Sequence, residues 1–244
     1  MIRGVGEPDP VNRRAQLACA WSGVVFLVMF AIGMVALAQF IPPPKANDSL
    51  GQTVSLYADH TNRVRAGLVL MMSAAGFTAP WYGVMAVHIK RIEGRISPLT
   101  YTWIACGGAM ILVILSPVMT MIVASFRPGR DPQITQALND LAWIPFIMVY
   151  PPVLIQQLTI TGAILGNARQ TVFPRWVAYL NFWFAVLLVP AVAIPFFKHG
   201  PFAWHGIFEF WLAAVDFFGW FAVMTVFLMK AIREHQIDLP ASAQ

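Results

Sequence analysis

The chain has 244 residues, of which 58% are hydrophobic and 11% charged, with 18 Phe, 9 Trp, 12 Met and a net charge of +5. Soluble domains carry about 25% charged residues, and a mean hydropathy of +0.66 describes more apolar surface than one aqueous core of this length can hide. An ordinary soluble globule is excluded and lipid becomes the expected solvent. The basic residues are scattered through short connections in no stripe or cluster, so nucleic acid is not an expected partner.

Runs of about 20 apolar residues suffice to cross a hydrocarbon core of about 30 Å. Six are found, at about 15–40, 66–88, 99–125, 141–165, 176–197 and 205–229. The expected fold class is all-α: a polytopic integral membrane protein, a six-transmembrane-helix bundle forming one domain over 15–235. A cytoplasmic segment (1–14) precedes it and a cytoplasmic tail (236–244) follows. The first run follows Arg13 and Arg14 and contains Ala36-Leu37-Ala38, which mimics a cleavage site. Its apolar stretch from Ala15 to Ala38 is longer than the 7–15 residues of a signal-peptide core, so a retained helix is expected.

Between the first two runs, Pro42-Pro43-Pro44 opens the longest connection, and residues 50–58 have the pattern of a short interfacial helix. Prolines interrupt the second run at Pro80, the third at Pro117, the fourth at Pro145, Pro151 and Pro152, and the fifth at Pro190 and Pro195. Each removes a backbone donor, which kinks a helix and widens a bundle locally. Gly107-Gly108 and the Gly162/Gly166 pair suit close helix packing, and the aromatic runs of the last two spans suit a lipid-facing belt. With the N-terminus inside, ten Lys and Arg fall in cytoplasmic segments and six outside, a bias toward N-in and C-in.

Charged groups in hydrocarbon cost about 2.5–3.5 kcal/mol each on insertion scales, so Asp216 in the sixth run calls for a reason. Stepping back seven and eleven residues reaches Glu209 and His205. At about 100° per residue the three fall on one side of a helix, a polar stripe that must face protein or water. The expected facing groups are Trp143, Tyr150 and Gln157, spaced by seven on the fourth run, with Gln156 alongside, Thr159 and Thr161 further in and Asp140 at its outer mouth, and Asn181 on the fifth. A buried Asp216 hydrogen-bonded to Gln157 would lock two helices together.

Cys19 and Cys106 lie far apart in apolar runs and are expected to pack as small hydrophobes. The five histidines form no H-x-x-H, H-x-x-x-H or H-E-x-x-H pair, and no phosphate loop or G-x-S-x-G elbow is present. Neither a metal nor any other cofactor is expected.

At Phe173-Pro174-Arg175-Trp176, followed by an aromatic span, and at Asn12-Arg13-Arg14-Ala15, running straight into a helix, the chain resembles small six-helix bacterial membrane proteins grouped as families of unknown function. The resemblance is one of layout over most of the chain. It implies a multi-pass location in a bacterial plasma (inner) membrane and no reaction.

Three functional readings follow. The lead is a binding site for a small lipophilic molecule in an aromatic-lined intramembrane cavity bearing Asp216. Conversion there would be an acid-catalysed isomerisation or cyclisation, with Asp216 as acid, Glu209 as its proton supply or second acid, Tyr150 and Trp220 stabilising a cation through their ring faces, and Trp143, Gln157, Asn181 and His205 as further binding residues. The alternatives are proton- or cation-coupled transport and an accessory subunit of a larger membrane complex, with a membrane-protein partner or a homo-oligomer as its setting.

Overall fold

A computed structural model describes residues 10–170 and 172–234; the segment up to Asp9 and the tail from His235 lie outside the described residues. The described chain is all-helical, and six of its helical stretches are long and apolar enough to cross a membrane: Asn12–Leu37, Thr61–Glu93, Pro98–Phe126, Pro132–Gly166, Arg175–Phe196 and Ile207–Glu234. The expected six are therefore present, the second and fourth being considerably longer than their apolar runs suggest.

The first stretch is α1 (Pro10–Ala31), continued by a wider, π-wound turn over Ile32–Leu37. Phe26 of α1 is fully buried among Phe217, Phe218 and Phe221 of the last helix. After the Pro42-Pro43-Pro44 loop comes α2 (Leu50–Ala58), the expected short helix. Its start is fixed by Ser49, whose hydroxyl accepts from Gln52 N–H while the Gln52 side chain accepts from Ser49 N–H, a reciprocal cap that satisfies two orphan donors.

The second span is two helices, α3 (Thr61–Gly76) and α4 (Thr78–Glu93), which meet at Phe77. The break sits three residues before Pro80, whose missing N–H and ring favour a helix start there rather than an interior. Backbone touches backbone where the π turn crosses α3. A Cβ on Gly33 would lie 2.7 Å from the Gly67 carbonyl oxygen, and one on Gly67 would lie 2.6 Å from that of Gly33. Only residues without a side chain permit such an approach.

Next comes α5 (Pro98–Phe126), which is continuous through Pro117. Its first turn is capped by Glu93, whose two oxygens accept from Leu99 N–H (2.8 Å), Thr100 N–H (2.7 Å) and Thr100 Oγ1 (2.6 Å). Its last carbonyls, of Ser125 and Phe126, accept from Arg65 at 2.7 and 2.9 Å. Arg63 likewise donates to the Ala36 carbonyl at the end of the π turn. A cation at a helix C-terminus meets both the orphan carbonyls and the negative end of the dipole.

The fourth span is α6 (Pro132–Ile147) and α7 (Tyr150–Gly166), broken over Met148 and Val149 just ahead of Pro151-Pro152. The fifth is α8 (Arg175–Leu187), continued by a 3-10 stretch over Val189–Phe196 that holds Pro190 and Pro195. The sixth opens as a π turn, Ile207–Trp211, and runs on as α9 (Leu212–Glu234).

Some packing expectations change. Gly107 sits under the Tyr82 ring, 2.8 Å from where its Cβ would be, but a Cβ on Gly108 or Gly166 meets nothing within 4 Å and one on Gly162 only touches Leu99 at 3.7 Å. The Gly162/Gly166 pair therefore makes no close helix contact. Trp176, Tyr179, Phe182 and Trp183 of α8 are more than half exposed, as a lipid-facing belt requires, whereas Trp220 of the same expected belt is fully buried.

Candidate functional site

Four of the sequence-derived candidates meet between α7, α8 and α9. Asp216 is fully buried, and its Oδ2 accepts from Gln157 Nε2 at 3.2 Å. One turn along α9, Trp220 Nε1 donates to Asn181 Oδ1 at 2.7 Å, while Asn181 Nδ2 donates to the Val177 carbonyl and to Met224 Sδ. Thr161, one turn beyond Gln157, donates to the Ala178 carbonyl at 3.1 Å. Two hydrogen-bonded layers thus tie the three helices together, as the spacing of Asp216 to Trp220 and of Gln157 to Thr161 by four dictates.

Two further groups stand beside these layers, and of the residues they add the sequence singles out only Gln156. Gln156 is fully buried next to the Tyr82 hydroxyl, and Trp103 Nε1 donates to the Tyr82 carbonyl at 3.0 Å. Trp81, Trp103 and Trp220 lie within about 6 Å of one another, with ring centroids 5.9–6.2 Å apart. Trp81 also stacks on Phe221 at 4.0 Å and donates to Thr225 Oγ1. The signal for this cluster was available only as Trp81-Tyr82 directly after Pro80, in a run that also reads as generic aromatic bulk.

The polar stripe through His205, Glu209 and Asp216 is not formed as expected. Gly206 has extended backbone (φ −75°, ψ 170°) and the helix begins only at Ile207, so His205 lies on the preceding loop. There its Nδ1 accepts from the Ala46 N–H at 3.1 Å, beside Trp204, whose indole donates to the Pro44 carbonyl at 2.8 Å. Partial burial holds the His205 imidazole below its ordinary pKa. Glu209 is fully buried within the π turn, and neither of its oxygens has a hydrogen-bond partner among the described residues. A π turn winds differently from 100° per residue, so the seven-residue step from Glu209 to Asp216 does not carry one α-helical face.

The end of the bundle that carries α2 holds a separate aromatic group. Trp143 of α6 is buried against Phe40 (5.5 Å), Phe146 (5.6 Å) and Phe210 (6.5 Å). Next to it Tyr57 donates to Asn139 Oδ1 at 2.9 Å, and burial pushes the Tyr57 hydroxyl above its ordinary pKa. Tyr150 opens α7, half-buried, and has no hydrogen bond or ring contact with the other candidates among the described residues. Trp143, Tyr150 and Gln157 do not share one helical face, because the chain breaks over Met148 and Val149 between them.

A cavity of about 250 Å³ lies where this break opens the bundle. It is bounded by α1, α5, α6 and the start of the sixth span, with Phe30, Met34, Phe146, Phe210, Phe217 and Phe218 in its wall and Ile147 and Val149 flanking the break. Ala31, Val35 and Trp211 at its rim are exposed, so it opens on the apolar side of the bundle. No charged residue lines it. At about 100° per residue, Asp216 stands about 130° round α9 from the centre of the cavity face. This cavity is aromatic-lined, but none of Asp216, Glu209, Trp143, Tyr150, Gln157, Asn181, Trp220 and His205, expected around a bound molecule, is in its wall; Asp216 belongs to the α7–α9 contact instead.

Among the described residues no group of three His, Cys, Asp or Glu side chains converges as metal ligands do, and both cysteines are free and half-buried. No protein-family model matches the chain, and no curated protein or solved structure is significantly similar to it.

Proposed function

We propose that this is a multi-pass membrane protein that binds a small lipophilic molecule entering sideways from the bilayer. The observation that carries the reading is the cavity beside the α6/α7 break. An apolar cavity of about 150 Å³ holds a benzene ring; at the same packing, about 250 Å³ takes roughly ten non-hydrogen atoms. Its wall offers ring faces and Met side chains, with the Trp211 indole at the rim as its one hydrogen-bonding side chain, which suits a hydrocarbon or terpenoid-like compound, or the end of a lipid tail. Asp216 is engaged with Gln157 and stands outside the cavity, so binding without conversion is the reading the geometry supports.

The same proposal places the protein in a bacterial plasma membrane with both termini cytoplasmic. Support for the orientation comes from the bias of ten Lys and Arg against six. Two of the six, Arg63 and Arg65, have a separate reason to lie outside, since they cap the carbonyl ends of the π turn and of α5.

The test is native mass spectrometry of the full chain extracted from its own membrane in mild detergent. The proposal expects a retained lipophilic adduct that Ala214→Trp, which fills the cavity from α9, displaces. A protein free of adducts that also fails to retain added biphenyl, or an adduct unaffected by Ala214→Trp, would overturn it. A stoichiometric protein partner without an adduct would favour the accessory-subunit reading.

A further inference from the structure

A second lateral groove, of about 430 Å³, lies between α4 and α5. Its floor is made of small residues: Ala79, Gly83 and Ala86 of α4, and Gly107 and Gly108 of α5. Gly83 and Gly108 are exposed, and a Cβ at either meets nothing within 4 Å, so no helix among the described residues covers the trough at these positions. At one end stand Lys90 and Tyr101, both exposed. At the other are Ala79 and Ile111.

Length and charge together say what fits. From Ala79 to Lys90 is eleven helical residues, about 16 Å at 1.5 Å each, close to the roughly 15 Å of one leaflet of a 30 Å hydrocarbon core. The volume is nearly three times that of a cavity holding one benzene, which gives room for a chain of about 16–18 carbons. The acid nearest in sequence to Lys90 is Glu93, and both its oxygens are occupied in capping α5. The ion pair among the described residues is between Lys230 and Glu234 on α9, so Lys90, with the exposed Arg91 and Arg95 beyond it, presents positive charge at the groove mouth. Tyr101 supplies the aromatic interfacial anchor at the same level.

We infer that this groove binds one acyl chain of an anionic phospholipid, with the phosphate on Lys90 and Tyr101 and the chain lying over Gly83 and Gly108. A basic cleft at a membrane interface selects anionic headgroups by charge, while the glycine floor lets the chain lie closer than bulk lipid. The site is separate from the α1/α5/α6/α9 cavity and stands whether or not that cavity is occupied. It rests on the reading of the chain as membrane-spanning.

The experiment is native mass spectrometry of the delipidated full chain after incubation with equimolar phosphatidylglycerol and phosphatidylcholine carrying 16- and 18-carbon chains. Wild type is expected to retain one phosphatidylglycerol at least severalfold over phosphatidylcholine. Lys90→Gln should remove the preference while keeping chain binding, and Gly83→Leu or Gly108→Leu should reduce retention of both lipids severalfold. Circular dichroism and tryptophan emission matching wild type confirm that each variant is folded; should one leucine variant misfold, the other serves. Equal retention of the two lipids by wild type, or unchanged phosphatidylglycerol binding in folded leucine variants, would overturn the inference. So would a dimer that Gly83→Leu dissociates without any lipid being retained, since the groove would then seat a second copy. None of these results depends on Ala214→Trp, so the two sites fail or stand independently.

Discussion

Gln157 on α7 donates to the carboxyl of Asp216 on α9 at 3.2 Å, and both side chains are fully buried. The pair holds two spans at fixed depth, because a polar group in hydrocarbon that loses its partner has no water to replace it. One turn away, the Asn181–Trp220 bond does the same between α8 and α9.

Removing the donor should therefore cost more than removing the charge. Gln157→Leu leaves Asp216 Oδ2 without its partner and is expected to destabilise the protein by about 1–2 kcal/mol. Asp216→Asn keeps a group that accepts from Gln157 and should change stability by less than about 1 kcal/mol. Thermal unfolding in detergent, followed by tryptophan emission, ranks the two; the reverse order would show that the carboxylate itself is the stabilising element.

The glycines divide into those the packing needs and those it tolerates. Gly67→Ala would place a methyl 2.6 Å from the Gly33 carbonyl oxygen and must push the π turn away from α3, at an expected cost of about 1–3 kcal/mol. Gly76→Ala, at the end of α3 where a Cβ meets nothing within 4 Å, should be neutral within about 1 kcal/mol. Comparing their melting temperatures checks the close approach of the two backbones.

Acidification should loosen the contact between the loops that carry Ala46 and His205. His205 accepts the Ala46 N–H through Nδ1, an interaction only the neutral ring can make. Its pKa in the fold is held below the ordinary value, chiefly by burial. The unfolded chain therefore binds the proton first, and stability rises with pH across that interval. The contribution is complete above the ordinary histidine range, is lost as pH falls through it, and changes no further once pH lies below the lowered folded value. Hydrogen exchange at the Ala46 amide should accelerate at acidic pH beyond its intrinsic trend, and His205→Leu should expose that amide at every pH. Exchange that follows only the intrinsic pH trend in wild type would contradict the bond.

The spans were legible because lipid demands long apolar runs, and the Gln157–Asp216 contact because a buried acid demands a donor on a neighbouring helix. Helix interruptions were only half legible: Pro80 and Pro151-Pro152 announce them, but breaks at Phe77 and at Met148 and Val149 also depend on which carbonyls can be left open. His205 was misplaced because a uniform 100° step was carried through Gly206, where the backbone is extended, and the π turn at Glu209 has no signature in residue type. Tyr82 was missed because a tyrosine inside an apolar run carries no sign of depth. The cavity could not be read at all, since its wall combines four helices distant in sequence, and no local period marks where they fail to touch.

The central claim is that a lipophilic molecule occupies the space between Phe146 and Phe218. Photolabelling of the membrane-embedded full chain with a diazirine-bearing hydrocarbon of about ten carbons, followed by peptide mapping, tests it most directly. Labelling is expected to concentrate on residues 144–149 and 210–218, to saturate with probe concentration, and to fall severalfold in Ala214→Trp. Labelling that rises linearly with probe and spreads over lipid-facing residues such as Trp176 and Phe182 would contradict it.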